Sequence, residues 1–214
     1  LTTVYNRSTR GGGINNQGNL MMIASFVKHN TALDNGGGVY NSGSLTMIES
    51  VVSDNSISHS GSGAGIFNLG DMVIKDSHIS NNQLANIGGG LASWGELEVE
   101  DTTISGNNVF SSGGGIYAGG VITISGSTIS GNSANSRGAG IHFQDGDMTI
   151  ENSTISGNTE ASSSFRLDGG GIYSRGNLKL FSTTITNNFA DNGAGVYVSN
   201  RTTEIFNSLI GNNQ

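Results

Sequence analysis

The chain has no cysteine and no proline among its 214 residues, only 7% aromatics and only 12% charged residues. Without cysteine no disulfide framework holds the fold, although this leaves the redox compartment open, because a solenoid is stable without crosslinks. Lacking proline and bulky aromatics, the chain must form its turns and its core from other residues. Basic residues are scarce too: nine Lys and Arg against sixteen Asp and Glu give a net charge of −7 and an isoelectric point near 4.8. With no basic cluster, nucleic acid is excluded as a partner, since it is held by cations that displace phosphate counterions. An anionic membrane surface is excluded on the same ground. No apolar run approaches the roughly 18 residues that span a bilayer, so membrane insertion by this segment is not expected.

What is abundant is glycine, 35 residues of it, together with Asn, Ser and Thr. These residues recur in order. A Gly-x-Gly-aliphatic signature ends at Ile14, Val39, Ile66, Leu91, Ile116, Ile141, Ile172 and Val196, with most spacings equal to 25 residues. Six or seven residues later comes an apolar-x-apolar triplet, such as Met72/Ile74 or Ile122/Ile124. A hydroxyl follows, then an aliphatic two residues on (Val27, Val52, Ile79, Ile104, Ile129, Ile155, Ile185, Ile210), then an asparagine three beyond it.

Period-2 alternation in short runs broken by Gly and Asn reads as strands. A fixed period near 25 residues, with several strands in each, is the pattern of a stacked coil in which each turn buries its apolar positions only by lying on the next. The expected fold is therefore all-β: a right-handed parallel β-helix (β-solenoid) of about eight coils of ~25 residues, with three short strands per coil. At about 4.8 Å per coil the rod is roughly 40 Å long. Residues 1–214 form one domain, with loop insertions expected near 56–62 and 159–168. The first ten residues resemble the tail half of a coil, so the chain reads either as a segment of a longer protein or as a stacking subunit. No leader is visible at Leu1, so an export signal is expected to lie upstream or to have been removed.

Within a coil the Gly or Ala before each aliphatic marks a narrow corner. Asn30, Asn55, Asn82, Asn107, Asn132, Asn158, Asn188 and Asn213 end the third strand, where Asn suits a left-handed turn and stacked amides can form a ladder along the axis. Ser25, Ser50, Ser77, Thr102, Ser127, Ser153, Thr183 and Ser208 point inward and need partners, expected among themselves or at corner carbonyls.

These motifs resemble the repeats of bacterial right-handed parallel β-helix surface proteins, in particular the chlamydial polymorphic outer-membrane-protein type, which pairs Gly-Gly-Ala-aliphatic with Phe-x-x-Asn. Gly11-Gly12-Gly13-Ile14 through Gly193-Ala194-Gly195-Val196 match the first motif. Val27-x-x-Asn30, Ile104-x-x-Asn107 and Ile155-x-x-Asn158 match the second with an aliphatic in place of Phe. The resemblance covers nearly the whole chain. It implies a secreted or surface-displayed, adhesive or structural role; the wider pectin-lyase-like class also includes polysaccharide lyases and hydrolases, whose activity fold alone does not carry over.

Three outward columns are candidate sites. Tyr40, Phe67, Tyr117, His142, Tyr173 and Tyr197 form a face suited to a sugar ring or a partner chain, or else simply shield one another as cross-strand pairs. Glu49, Asp76 and Asp101 form an acidic column near Glu96, Glu98 and Glu100. It reads as a solvated edge, as a cation site of the kind that takes Ca²⁺, or as paired catalytic carboxylates. Thr103/Ser105, Thr128/Ser130, Thr154/Ser156 and Thr184/Thr186 make a flat hydroxyl lattice like that of ice-binding solenoids. His29, His59, His78 and His142 fall in different columns and do not converge on a metal.

No catalytic or cofactor motif stands out. The functional expectation is a non-enzymatic, extracellular or cell-surface β-helix, a rod, stalk or filament subunit acting through self-association or binding of glycans or a cell surface. The alternatives are a polysaccharide-binding or polysaccharide-cleaving β-helix and an ice-binding solenoid.

Overall fold

A computed structural model of the protein describes residues 1–160, 168–199 and 201–214. Among them every regular element is a strand, and every ladder between strands is parallel. Ile116 lies directly opposite Ile141, and Ile122 opposite Met148, so residues about one period apart stack as rungs.

Two large sheets carry the coil. The first has fourteen strands. It begins in each coil with the residues after the glycine signature, as in Val39–Asn41 and Ile66–Asn68, and continues with the apolar-x-apolar run, as in Ser44–Ile48 and Asp71–Lys75. Ile116–Ser125 and Ile141–Glu151 run through both parts without a break. The second sheet has nine strands, from Thr2–Val4 through Thr103–Ser105 to Leu209–Gly211. Besides the three strands per coil, a fourth, discontinuous column of short strands closes the coil, including Thr31–Asn35, Val109–Ser112 and Ser133–Ala134. Its inward residues are mostly small, such as Ala32, Ala85 and Ala134, and they pack on Ala64 and Ala139 of the glycine corner. That corner is as narrow as the Gly/Ala pattern implies.

The main core is a column of aliphatics between the two large sheets, with Ile66, Ile74, Ile79, Ile104, Ile116, Ile124 and Ile129 all fully buried. Each fully buried side chain of this kind contributes about 1.5–3 kcal/mol. Within the stretch 56–62, where a loop insertion was expected, Ser58, His59 and Ser60 are exposed bends. That expected at 159–168 falls largely on 161–167, outside the described residues.

Three left-handed corners turn each coil. The first is the leading glycine of the signature, such as Gly113 at φ +69°, where a Cβ would stand 2.6 Å from the Ile116 carbonyl oxygen. The second precedes the hydroxyl column and includes Glu49, Asp76, Asp101 and Gly126. The third precedes the ladder asparagine and includes His29, Asp54, Asn81, Gly106 and Gly131. The ladder asparagines were themselves expected in this conformation; the residue before each adopts it instead. Its φ places the following amide inside the coil.

Once inside, the asparagines do form the ladder, and it is one rung longer than expected because Asn6 joins it. The backbone N–H of each donates to Oδ1 of the asparagine one coil further on, at 2.9–3.0 Å. Its Nδ2 donates to the same oxygen at 2.9–3.1 Å. From Asn30 on, Nδ2 also donates to a carbonyl of the coil before, as Asn107 does to Ile79 at 3.1 Å. The third glycine of the signature lies against this amide: a Cβ on Gly115 would meet Asn132 Nδ2 at 2.9 Å and the Gly140 carbonyl at 2.7 Å. Glycine and asparagine are thus two halves of one packing requirement.

The hydroxyl column draws on both of its expected partners, its own members and the corner carbonyls. Successive members bond through the backbone N–H of one and the hydroxyl of the next rather than hydroxyl to hydroxyl, and the hydroxyls donate to corner carbonyls as expected. Ser50 Oγ accepts the Ser25 N–H at 3.0 Å and donates to the Ile48 carbonyl at 2.8 Å, and Ser127 repeats this with Thr102 and Ser125.

Candidate functional site

The aromatic column is real, but its rings are not presented to solvent face-on. The rung spacing of a parallel sheet, about 4.8 Å, is close to the separation at which rings stack, so the rings turn their broad faces along the axis onto each other. Tyr40 and Phe67 stack at 5.3 Å, Tyr117 and His142 at 4.6 Å, and Tyr173 and Tyr197 at 5.2 Å. Tyr40, Phe67, His142 and Tyr173 are buried as a result. A sugar ring that needs an open aromatic face finds each interior one already occupied. Mutual shielding is the arrangement these residues adopt.

One member of the column escaped the sequence reading. The fourth coil has Ala92 where its neighbours have rings, and Trp94, two residues later, fills the gap. It lies 5.1 Å from Phe67 and 5.8 Å from Tyr117, making seven rings on seven successive coils. The signal was available: the chain's single Trp follows the column's single Ala by two positions. A second ladder was also missed. Asn16 Nδ2 donates to Asn41 Oδ1 and Asn41 Nδ2 to Asn68 Oδ1, both at 2.6 Å, and Asn68 Nδ2 to Ser93 Oγ at 3.0 Å. These side chains also bond the glycine loop carbonyls that follow them, as Asn68 does at Gly70. The repeated Gly-x-Gly-aliphatic-x-Asn at Asn16, Asn41 and Asn68 announces it.

Polar groups gather at one part of the ring column. Gln144 Oε1 lies 3.0 Å from His142 Nε2 and accepts the Tyr117 hydroxyl at 3.3 Å. The Arg137 guanidinium sits over the Tyr173 ring, 5.3 Å from its centre. His142 is 3% exposed, and burial lowers its pKa to about 4, with Arg137 and Arg175 adding to the effect against the Gln144 contact. The imidazole is therefore neutral over the physiological range, and its Nδ1 is buried without a hydrogen-bond partner. Burial raises the Tyr117 pKa, with the two arginines opposing.

Glu49, Asp76 and Asp101 lie on successive coils, all exposed and all at the left-handed second corner. Their shared role in the fold is to make that turn. Among the described residues no three His, Cys, Asp or Glu side chains group closely enough to hold a metal ion. The carboxylates that do converge are Glu98 and Glu100, at 2.9 and 2.6 Å from the Lys75 ammonium, whose pKa they raise. The hydroxyl lattice is in register: Thr103, Thr128, Thr154 and Thr184 face one another across adjacent strands, as do Ser105, Ser130, Ser156 and Thr186. The histidines stay apart; His29 instead stacks on Tyr5 at 5.1 Å.

Residues 95–214, more than half of the chain, match the family model of the right-handed β-helix region. The chain belongs to the right-handed β-helix family. The match is to the family at large and does not single out the chlamydial type that the motifs resemble. No curated protein and no solved structure matches the chain. The β-helix fold is compatible with enzymatic and with non-enzymatic work, so the function must be argued from the chain's own columns.

Proposed function

We propose that this β-helix is a non-enzymatic structural rod of an extracellular or cell-surface protein, extended by stacking further coils or copies of itself. The observation that carries the reading is the asparagine ladder. It runs from Asn6 to Asn213 with the same pair of bonds to Oδ1 between each rung and the next and spends each coil's most recurrent polar side chain on the coil beside it. The ladder has a direction: each rung offers N–H donors one way and an Oδ1 acceptor the other. Any coil in the same register, whether from a longer chain or a second copy, adds by the bonds already in use. The ring column follows the same rule, since each interior aromatic face is completed by a ring one coil away.

The test is sedimentation velocity with electron microscopy across a concentration series, together with adhesion to cell or glycan surfaces. End-to-end rods growing in units of about 40 Å, eight coils at the sheet spacing, support the proposal. A chain that stays monomeric at high concentration and binds no surface refutes it.

A further inference from the structure

We propose that Tyr173 and Tyr197 form an oxidative cross-linking site: one-electron oxidation joins their phenol rings as dityrosine and ties two adjacent coils covalently.

Geometry is the first reason. The two residues lie directly opposite each other on neighbouring strands of the fourteen-stranded sheet. Their rings stack 5.2 Å apart, centre to centre, and within 5° of parallel. Phenoxyl radicals couple through the π lobes on their ortho carbons, which stand perpendicular to the ring plane. In this stack those lobes point along the axis at the other ring, and strand pairing at about 4.8 Å holds the approach.

Isolation of the pair is the second. The chain has five tyrosines. Tyr40 stacks on Phe67, Tyr117 on His142 and Tyr5 on His29. Among the described residues Tyr173 and Tyr197 are thus the one pair of phenols in ring contact, so a radical on another tyrosine has no stacked phenol to couple with. Nor does stacking itself call for a hydroxyl: Phe206, 50% exposed, stacks on Phe181 at 5.1 Å. Tyr173 is 6% exposed and Tyr197 is half-buried, so the oxidant works at Tyr197. The Tyr197 phenoxyl takes an electron from the stacked Tyr173, and a second oxidation at Tyr197 completes the radical pair.

The chemistry balances with a peroxide-class oxidant. Each phenol loses one electron, and its O–H proton goes to water. The two phenoxyls form one carbon–carbon bond, and each joined carbon passes its hydrogen to its ring oxygen, which restores both phenols. The two electrons break the O–O bond of the oxidant: hydrogen peroxide takes the two protons as well and leaves as two waters, whereas persulfate leaves as two sulfates and the protons stay in solution. The bond closes a loop of one coil and so restricts the unfolded chain, in a protein that has no cysteine to do the same. The proposal is independent of the rod reading, because the cross-link forms within one chain and self-association is read by sedimentation.

The full chain, at low concentration, is irradiated with tris(bipyridyl)ruthenium and persulfate, and the monomer is isolated under denaturing conditions. Dityrosine fluorescence in that monomer is expected. Trypsin cuts after Arg175 and Lys179, between the two tyrosines, so the digest should contain their two peptides joined and two hydrogens lighter than the separate pair. Tyr173→Phe and Tyr197→Phe should each abolish the monomer's dityrosine, whereas Tyr5→Phe and Tyr117→Phe should leave it. All four variants keep a ring in place, so the coil should persist, as circular dichroism would verify. Dityrosine found only between separate chains, a joined peptide pair involving other tyrosines, or undiminished monomer fluorescence in Tyr173→Phe or Tyr197→Phe would overturn the assignment.

Discussion

Replacing Asn107 by Ala tests whether the amide ladder holds the coils together or merely accompanies them. Asn107 is fully buried. Its Oδ1 accepts the Asn82 N–H at 2.9 Å and Asn82 Nδ2 at 3.0 Å, and its own Nδ2 donates to the Ile79 carbonyl and to Asn132 Oδ1. The truncation leaves two buried N–H groups of Asn82 without an acceptor and removes a donor from Ile79. At about 1–3 kcal/mol for each of the two stranded groups, with about 1 kcal/mol for the lost bond to Ile79, the expected cost is roughly 3–7 kcal/mol. Asn6→Ala is the control: Asn6 is exposed, keeps its backbone bond to Asn30, and loses only one side-chain bond. It should cost about 1 kcal/mol. Urea unfolding followed by Trp94 fluorescence and circular dichroism measures both. Equal costs for the two variants, or less than about 1 kcal/mol for Asn107→Ala, would refute the reasoning, since water or relaxation would then be replacing the amide.

Other expectations follow from the same geometry. Ile129→Ala empties a fully buried position in the central column and should cost about 2–5 kcal/mol in the same assay. Gly115→Ala drives a Cβ into the Gly140 carbonyl and the Asn132 amide, so a marked loss of thermal stability is expected. Gly131→Asn should be nearly neutral: Gly131 has open space where its Cβ would be, and Asn81, Asn187 and Asn212 already hold its left-handed corner in other coils. His142 titrates near 4 when folded, below its ordinary 6.5, so the unfolded chain binds the extra proton first. Stability should be complete above about pH 6.5 and fall by about 3 kcal/mol as pH drops to 4; His142→Phe should flatten that slope in urea midpoints measured across the range.

The rungs were legible because each inward column is read by a single property. Ile, Leu, Val and Met at Ile74, Val99 and Ile124 need only be apolar, and a fixed period makes them coincide. The asparagine ladder was legible for the same reason. Orientation was not. Alternation correctly placed Tyr117 and Tyr173 outside, but whether an outward ring lies flat to solvent or on edge depends on the distance to the ring in the next coil, a property of the stack and not of the strand. Trp94 stayed hidden because it reaches sideways into a column to which its own position does not belong. The acidic column has a backbone explanation of its own. Glu49, Asp76 and Asp101 share a column because Asp and Glu were accepted at a left-handed corner where Ala24, Gly126 and Asn152 also occur, and a shared backbone need imitates a shared ligand.

That distinction separates structural from functional columns throughout the chain. A column whose residues vary freely among types that satisfy one backbone or packing need, as at the second corner, says nothing of a partner. One whose members are consumed by each other, as the asparagines are, says that its partner is the next coil.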